Sequence, residues 1–130
     1  MEKLKFPDNY FYSKEHEWLS DKKGIVTVGV SAFAIDQLGD IVHIDLPENN
    51  GQSYGAGDSF GTIESTKTVS DLYMPASGKI VAINKAVLES PESLQEDPYD
   101  KGWLVKISID QSPDNLMSAK EYQDYLNQEG

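Results

Sequence analysis

Apolar positions in the first half of the chain recur mainly with a period of two, the mark of strands buried on one face. In Ile25-Val26-Thr27-Val28-Gly29-Val30, the residues Val26, Val28 and Val30 share one side. Tyr12 to Leu19 can pair with this run as a first strand, through the turn Asp21-Lys22-Lys23-Gly24, where Gly24 supplies a positive φ at little cost. Before it, Phe6-Pro7-Asp8-Asn9-Tyr10 reads as an extended lead-in, since Pro7 has no amide to donate. The period then changes. Ser31 can cap and Gly39 can close a short helix with Ile35 and Leu38 facing inward. Asp40 to Pro47 returns to alternation, with Val42, Ile44 and Leu46 on one face, His43 on the other, and Pro47 as the stop. Glu48-Asn49-Asn50-Gly51 and Gly55-Ala56-Gly57-Asp58 read as turns.

The central stretch from Gly61 to Pro75 reads as two short strands meeting at a polar tip. Ile63 on one strand and Val69, Leu72 and Tyr73 on the other suit a half-buried pleated surface, and Lys67 sits near the middle of the small and polar residues between them. After the turn Pro75-Ala76-Ser77-Gly78 comes another strand, Lys79 to Asn84. Here the chain repeats itself, because Gly39 to Ile44 and Gly78 to Ile83 share the pattern Gly-x-Ile-Val-x-Ile. Either an internally two-fold β-sandwich or the ordinary likeness of glycine-led strands accounts for this.

Further on, Ser90-Pro91-Glu92-Ser93 predicts a capped helical turn with Pro91 in its first position, and Asp97 to Gly102 a long turn. Trp103 to Ile109 is a strand with Trp103, Val105, Ile107 and Ile109 on one side. Helix starts fall at Ser112-Pro113-Asp114 and at Ser118, the second with the Ser-x-x-Glu spacing of a capping box. Tyr122, Tyr125 and Leu126 give that last helix an apolar stripe, which packs it on the body as a structural element. Trp18 and Trp103 read as core aromatics.

Composition narrows the possibilities. A chain of 130 residues with 38% hydrophobic content is enough for one ordinary core, so residues 1–130 are expected to form one domain. The net charge of −11 argues against a nucleic acid or an anionic membrane as partner. All the basic residues are lysines, so no arginine fork is present to grip a phosphate. Zero cysteines remove disulfides, thiolate nucleophiles and thiolate metal sites together. The apolar runs are too short for a spanning helix or a signal peptide, and a cytoplasmic location is expected, or a mitochondrial matrix if a presequence has been removed.

Few candidates for chemistry remain. His16-Glu17-Trp18 has no second histidine four residues after the first, and His43 lies far off, so no metal-ligand spacing exists. Ser65 and Ser70 lack the Gly-x-Ser-x-Gly elbow, and Gly55-x-Gly57 is too short for a phosphate loop. An enzyme with its own catalytic site is poorly supported. Lys67 remains: a solvated hairpin lysine on the ordinary reading, but also a reachable amine of the kind that modifying enzymes acylate.

Glu64-Ser65-Thr66-Lys67-Thr68-Val69-Ser70-Asp71 followed by Tyr73-Met74-Pro75-Ala76-Ser77-Gly78 resembles the lipoylation site of the glycine cleavage system H protein family. His16-Glu17-Trp18, Leu38-Gly39-Asp40-Ile41-Val42, Leu46-Pro47-Glu48, Ser90-Pro91-Glu92, Asp97-Pro98-Tyr99 and Gly102-Trp103 match further family segments in the same order, so the resemblance covers nearly the whole chain. Thr66 and Thr68 stand where valine and alanine are commoner, and Glu15 where some members carry serine.

The resemblance implies a mainly β (α+β) fold. It is a lipoyl/biotinyl-type barrel-sandwich hybrid with the lysine at a hairpin tip, a short helix after the second strand and a C-terminal helix. It also implies a non-catalytic carrier. Lipoic acid is joined to Lys67 as an amide by a lipoyl ligase or lipoyltransferase, and supplies sulfur chemistry that a cysteine-free chain lacks. The cargo is an aminomethyl group taken from a pyridoxal-phosphate glycine decarboxylase (P protein) to a tetrahydrofolate-dependent aminomethyltransferase (T protein). Dihydrolipoyl dehydrogenase (L protein) then restores the oxidised arm. Carried over residue by residue, Glu64 and Asp71 flank the lysine as recognition residues or as solubilising charges, and Glu17 and Asp71 are candidates for holding the cationic cargo in a cleft. A monomer suits such a shuttle. A lipoyl relay, a lipoyl domain serving another 2-oxoacid dehydrogenase complex, a biotinyl domain and a purely structural binding module are the alternatives. Of these, the biotinyl domain is disfavoured by threonines where methionines usually flank the lysine.

Overall fold

The computed structural model describes residues 6–22, 24–47, 52–110 and 116–129. The turn expected at Glu48–Gly51 and the helix start at Ser112–Asp114 lie outside them. Two antiparallel sheets carry the fold. The larger has the order β1-β2-β3-β9-β8-β5, formed by Phe11–Tyr12, Glu17–Lys22, Ile25–Val30, Val105–Ile109, Gly78–Ile83 and Ser53–Tyr54 respectively. The smaller is β4-β6-β7, from Ile41–Asp45, Ser59–Ser65 and Val69–Tyr73. Helices α1 (Ala32–Leu38), α2 (Lys85–Glu89), α3 (Ser93–Glu96) and α4 (Ala119–Glu129) fill the connections and the C-terminal end.

The β2–β3 hairpin forms where alternation places it, with Val26, Val28 and Val30 all buried and Gly24 at φ 84°. The strand expected over Tyr12–Leu19, however, is broken. Ser13–His16 turn back on themselves, the His16 amide donating to the Ser13 carbonyl, and His16 takes φ 68°. β1 therefore ends at Tyr12 and β2 begins at Glu17. For this reason α1 follows the third strand and not the second. α1 itself matches its sequence signals: the Ser31 hydroxyl accepts from the Ala34 amide at 3.3 Å, Gly39 closes the helix at φ 83°, and Ile35 and Leu38 are buried.

The alternation expected over Asp40–Pro47 fails at one residue. A bulge between Ile41 and His43 turns Val42 out to solvent, so that Ile41 and Ile44 face inward instead of Val42 and Ile44. The repeat explains it. β8 carries a bulge between Ile80 and Ala82, at the position of Val81, which corresponds to Val42 in the shared pattern and is likewise exposed. One strand lies in each sheet, so the Gly-x-Ile-Val-x-Ile match is a match of backbone shape as well as of letters.

Other departures are smaller. Val69, placed on the half-buried surface by its pattern, is 60% exposed, because it pairs with Glu64 on the solvent face of the hairpin. Ser90 ends α2 instead of capping the next turn, and α3 starts after Glu92. Trp103 precedes β9 and packs with the C-terminal aromatics. At α4 the capping box is complete, the Ser118 amide donating to Glu121 Oε1 at 2.8 Å and the Glu121 amide to Ser118 Oγ at 3.2 Å.

The sheets enclose one cluster of aliphatic side chains, among them Leu19, Val28, Ile44, Ile63, Leu72, Ile80 and Ile107. Each such side chain adds about 1.5–3 kcal/mol by leaving water. A second, aromatic cluster fixes α4: Tyr12, Trp18 and Tyr122 are all but fully buried, and the rings of Tyr12 and Tyr122 stack at 4.8 Å.

Candidate functional site

Lys67 lies at the apex between β6 and β7, exposed, as the polar pattern requires. The apex is held by Ser65, whose side chain is buried. Its Oγ accepts from the Lys67 amide at 3.1 Å and the Thr68 amide at 3.2 Å, while its own amide donates to the Thr68 carbonyl at 2.8 Å. The Thr66 amide donates to the Asp40 carbonyl at 3.0 Å, which ties the apex to the connection between α1 and β4. These bonds fix the backbone around the amine without engaging it. The side chains of Thr66 and Thr68 point into solvent, so neither departure from the commoner pattern alters the turn.

Gly39 gives the lysine room. A Cβ built there would come within 3.3 Å of Lys67 Cε. The stem thus passes the C-terminal end of α1, next to Gln37 and Leu38, which line a cavity of about 370 Å³. Its other walls are Glu15, His16 and Glu17 before and within β2, Val30, Phe33 and Ala34 around the start of α1, and Ile63, Ser70, Asp71 and Leu72 from the tip hairpin.

Glu17 and Asp71, distant in sequence, meet at this cavity. Glu17 is 3% exposed, and its Oε2 accepts the Tyr73 amide at 2.9 Å, joining the large sheet to the edge of the small one. Its Oε1 is buried and makes no hydrogen bond. Burial pushes the carboxyl up to about 8, the Tyr73 amide opposes this, and the negative charge of Glu15 adds to it. No lysine lines the cavity. Asp71 is exposed at the mouth, 3.4 Å from the Tyr73 hydroxyl, which donates to it. Glu64 is apart from the cavity. The β6–β7 register pairs it with Val69 and puts it on the same face of the hairpin as Asp71, in solvent.

Three contributors were not legible as site residues. Ser65 gave only the signal of a small hydroxyl at a turn, Gly39 read as a helix stop, and Phe33 as part of a helix face. Glu15, one of the departures from the family pattern, also lines the cavity. Among the described residues no group of three or more His, Asp or Glu side chains could hold a metal, and no helix is long and apolar enough to cross a membrane.

A family model described as the glycine cleavage H-protein matches residues 10–129. The chain belongs to the glycine cleavage H-protein family. A glycine cleavage system H protein of Carboxydothermus hydrogenoformans is 47% identical over 126 residues, 95% of this chain and 96% of its own length. One from Prochlorococcus marinus is 49% identical over 125 residues, with 92% and 93% covered. A crystal structure of a glycine cleavage system H protein from Mycobacterium marinum superposes with a TM-score of 0.88 at 39% identity, covering 94% of this chain and 99% of that one. The two antiparallel sheets with their few helices are thus the H-protein architecture, the lipoyl-type barrel-sandwich.

Proposed function

We propose that this H-protein family member is the lipoyl-bearing shuttle of the glycine cleavage system, with Lys67 as the attachment point. The observation that carries the reading is the pairing of an exposed, pre-formed lysine apex with a neighbouring cavity that holds a buried, unpartnered carboxylate oxygen. The residues fit the group. Ser65 presents the amine to a ligase in a fixed turn, and Gly39 leaves space for a stem that runs toward the cavity. When bound, lipoic acid supplies the dithiol chemistry that carries the one-carbon cargo.

The chain's own part is to bind and shelter. Glu17, buried with Oε1 free of hydrogen bonds, is suited to a cationic amine, and Asp71 at the mouth adds a second carboxylate. The apolar walls from Phe33, Leu38, Ile63 and Leu72 keep water away from what lies between them. In this reading the cargo passes from the glycine decarboxylase to the aminomethyltransferase, and dihydrolipoyl dehydrogenase completes the cycle. Glu64 and Asp71, sharing one exposed face beside the lysine, are the surface that the ligase and those enzymes meet. We place the protein in the bacterial cytoplasm as a monomeric, non-catalytic carrier formed from one domain over residues 1–130.

Glu17→Ala and Asp71→Ala should leave lipoylation intact and shorten the lifetime of the loaded form. Release of ammonia and formaldehyde from the isolated loaded variants at the unaltered rate would refute the cleft assignment. Reconstitution with the decarboxylase and labelled bicarbonate exchange tests the shuttle role itself, and an absence of exchange with fully lipoylated protein would point to a relay.

A further inference from the structure

α4 lines no part of the cavity, yet one of its residues reaches both walls. Tyr122 is fully buried, and its hydroxyl oxygen lies 2.8 Å from His16 Nδ1 and 2.7 Å from Ser31 Oγ. Ser31 Oγ in turn accepts the Ala34 amide as the N-cap of α1, and the His16 carbonyl accepts the Ser31 amide at 2.9 Å. His16 and Ser31 are therefore clasped twice, once through the main chain and once through the Tyr122 hydroxyl. His16 belongs to the Glu15–Glu17 wall, and Ser31 starts the helix that forms the opposite wall from Phe33 to Leu38.

The clasp sits where the backbone is under strain. His16 is the one non-glycine with positive φ among the described residues, a conformation that costs on the order of 1–2 kcal/mol for a residue with a side chain. Such a residue persists only where its surroundings hold it. Here the ring is held by the Tyr122 hydroxyl and by packing against Phe33 at 4.8 Å. The next residue is Glu17, whose carboxylate the turn directs across to the Tyr73 amide. Burial keeps the Tyr122 phenol far above its ordinary range, so the hydroxyl retains its proton and can donate to one neighbour while accepting from the other.

We propose that Tyr122 is a positioning residue for the cavity: through His16 and Ser31 it sets the separation of the two walls and holds Glu17 at the orientation that leaves Oε1 free for a cation. The consequence for cargo retention rests on the shuttle reading; the positioning itself does not. The C-terminal helix then belongs to the site and is more than packing.

Tyr12 provides the control. It is as buried as Tyr122 and stacks on it, and it donates to the Pro7 carbonyl at 2.8 Å; its tie to α1 runs through the Tyr99 hydroxyl, which accepts the Ala32 amide at 3.0 Å. In the full, unmodified chain, Tyr122→Phe should speed amide hydrogen exchange at Tyr73 and Ala34 about fivefold to tenfold, the loss expected for one buried hydrogen bond. Tyr12→Phe should leave the Tyr73 amide unchanged. Equal effects of the two variants on the Tyr73 amide, or no effect of Tyr122→Phe on it, would overturn the proposal. Should Tyr122→Phe not fold, Ser31→Ala cuts the same link from α1, and an unaltered Tyr73 amide in that variant would also overturn it. In loaded protein, Tyr122→Phe should shorten the cargo lifetime, with no further loss when added to Glu17→Ala. Faster exchange with an unaltered lifetime would uphold the positioning and refute the cavity as the shelter.

Discussion

The lysine apex and the Glu17 cavity are neighbours built by opposite means. The apex is local: four consecutive residues closed by one serine hydroxyl, with one outside tie from the Thr66 amide to the Asp40 carbonyl. The cavity is assembled from β2, α1 and the tip hairpin, and its central group is buried with one oxygen unsatisfied. A site that must be handed to several enzymes gains from being self-contained. A site that must shield a reactive cargo gains from the reverse, since only converging elements can exclude water. On the proposed reading the protein separates presentation from protection and joins the two through the lysine stem at Gly39.

The largest expected effect breaks the apex. Lys67→Arg should abolish the mass increment of one lipoyl amide, read by intact-mass analysis of protein from a lipoylating host, while leaving the fold and thermal midpoint unchanged. The cavity should respond next, through pH. The Glu17 carboxyl is raised from 4.5 to about 8 in the folded chain, so the stability that goes with its neutral form is complete below pH 4.5 and is lost as pH rises through 8. Glu17→Gln should flatten that slope and stabilise the chain by on the order of 2 kcal/mol at pH 8, with little gain at pH 4.5, in urea titrations at both values. Equal gains at the two pH values would show that the buried charge does not set the slope.

The junction comes third. Gly39→Ala forces a side chain onto φ 83° and crowds Lys67 Cε, so a loss of about 1 kcal/mol and slower lipoylation by a purified ligase are expected together. Ser65→Ala should cost about 1 kcal/mol and speed exchange of the Lys67 and Thr68 amides, with the Tyr73 amide unaffected. The smallest effect sharpens the contrast: Thr66→Val and Thr68→Ala should stay within about 0.5 kcal/mol of the parent, as exposed positions do.

The same contrast governs what could be read from the chain. The apex, the β2–β3 hairpin, α1 and the capping box at Ser118 follow from residues close in sequence, and their signals are local chemistry. Glu17 and Asp71 came from the family resemblance alone; no spacing rule joins positions so far apart. The break at Ser13–His16 leaves no mark in the alternation, because it is closed by bonds from the His16 amide to the Ser13 carbonyl and from the Glu17 amide to the Ser13 hydroxyl. Val42 was misplaced for a related reason, as a bulge moves every later residue to the other face without altering composition. α2 was legible in principle: Asn84 caps it through the Ala86 amide, ahead of the helix formers Lys85 to Glu89.

The hydrogen bond from the Tyr73 amide to Glu17 has a bearing on self-association. β7 is an edge strand beside the Lys67 apex. An open row of amides there invites strand addition by a second chain. Glu17 occupies one of those donors from within the same molecule, and Ser70 and Asp71 line the strand with polar groups. The carboxylate that faces the cavity therefore also occupies an edge donor that an added strand would need.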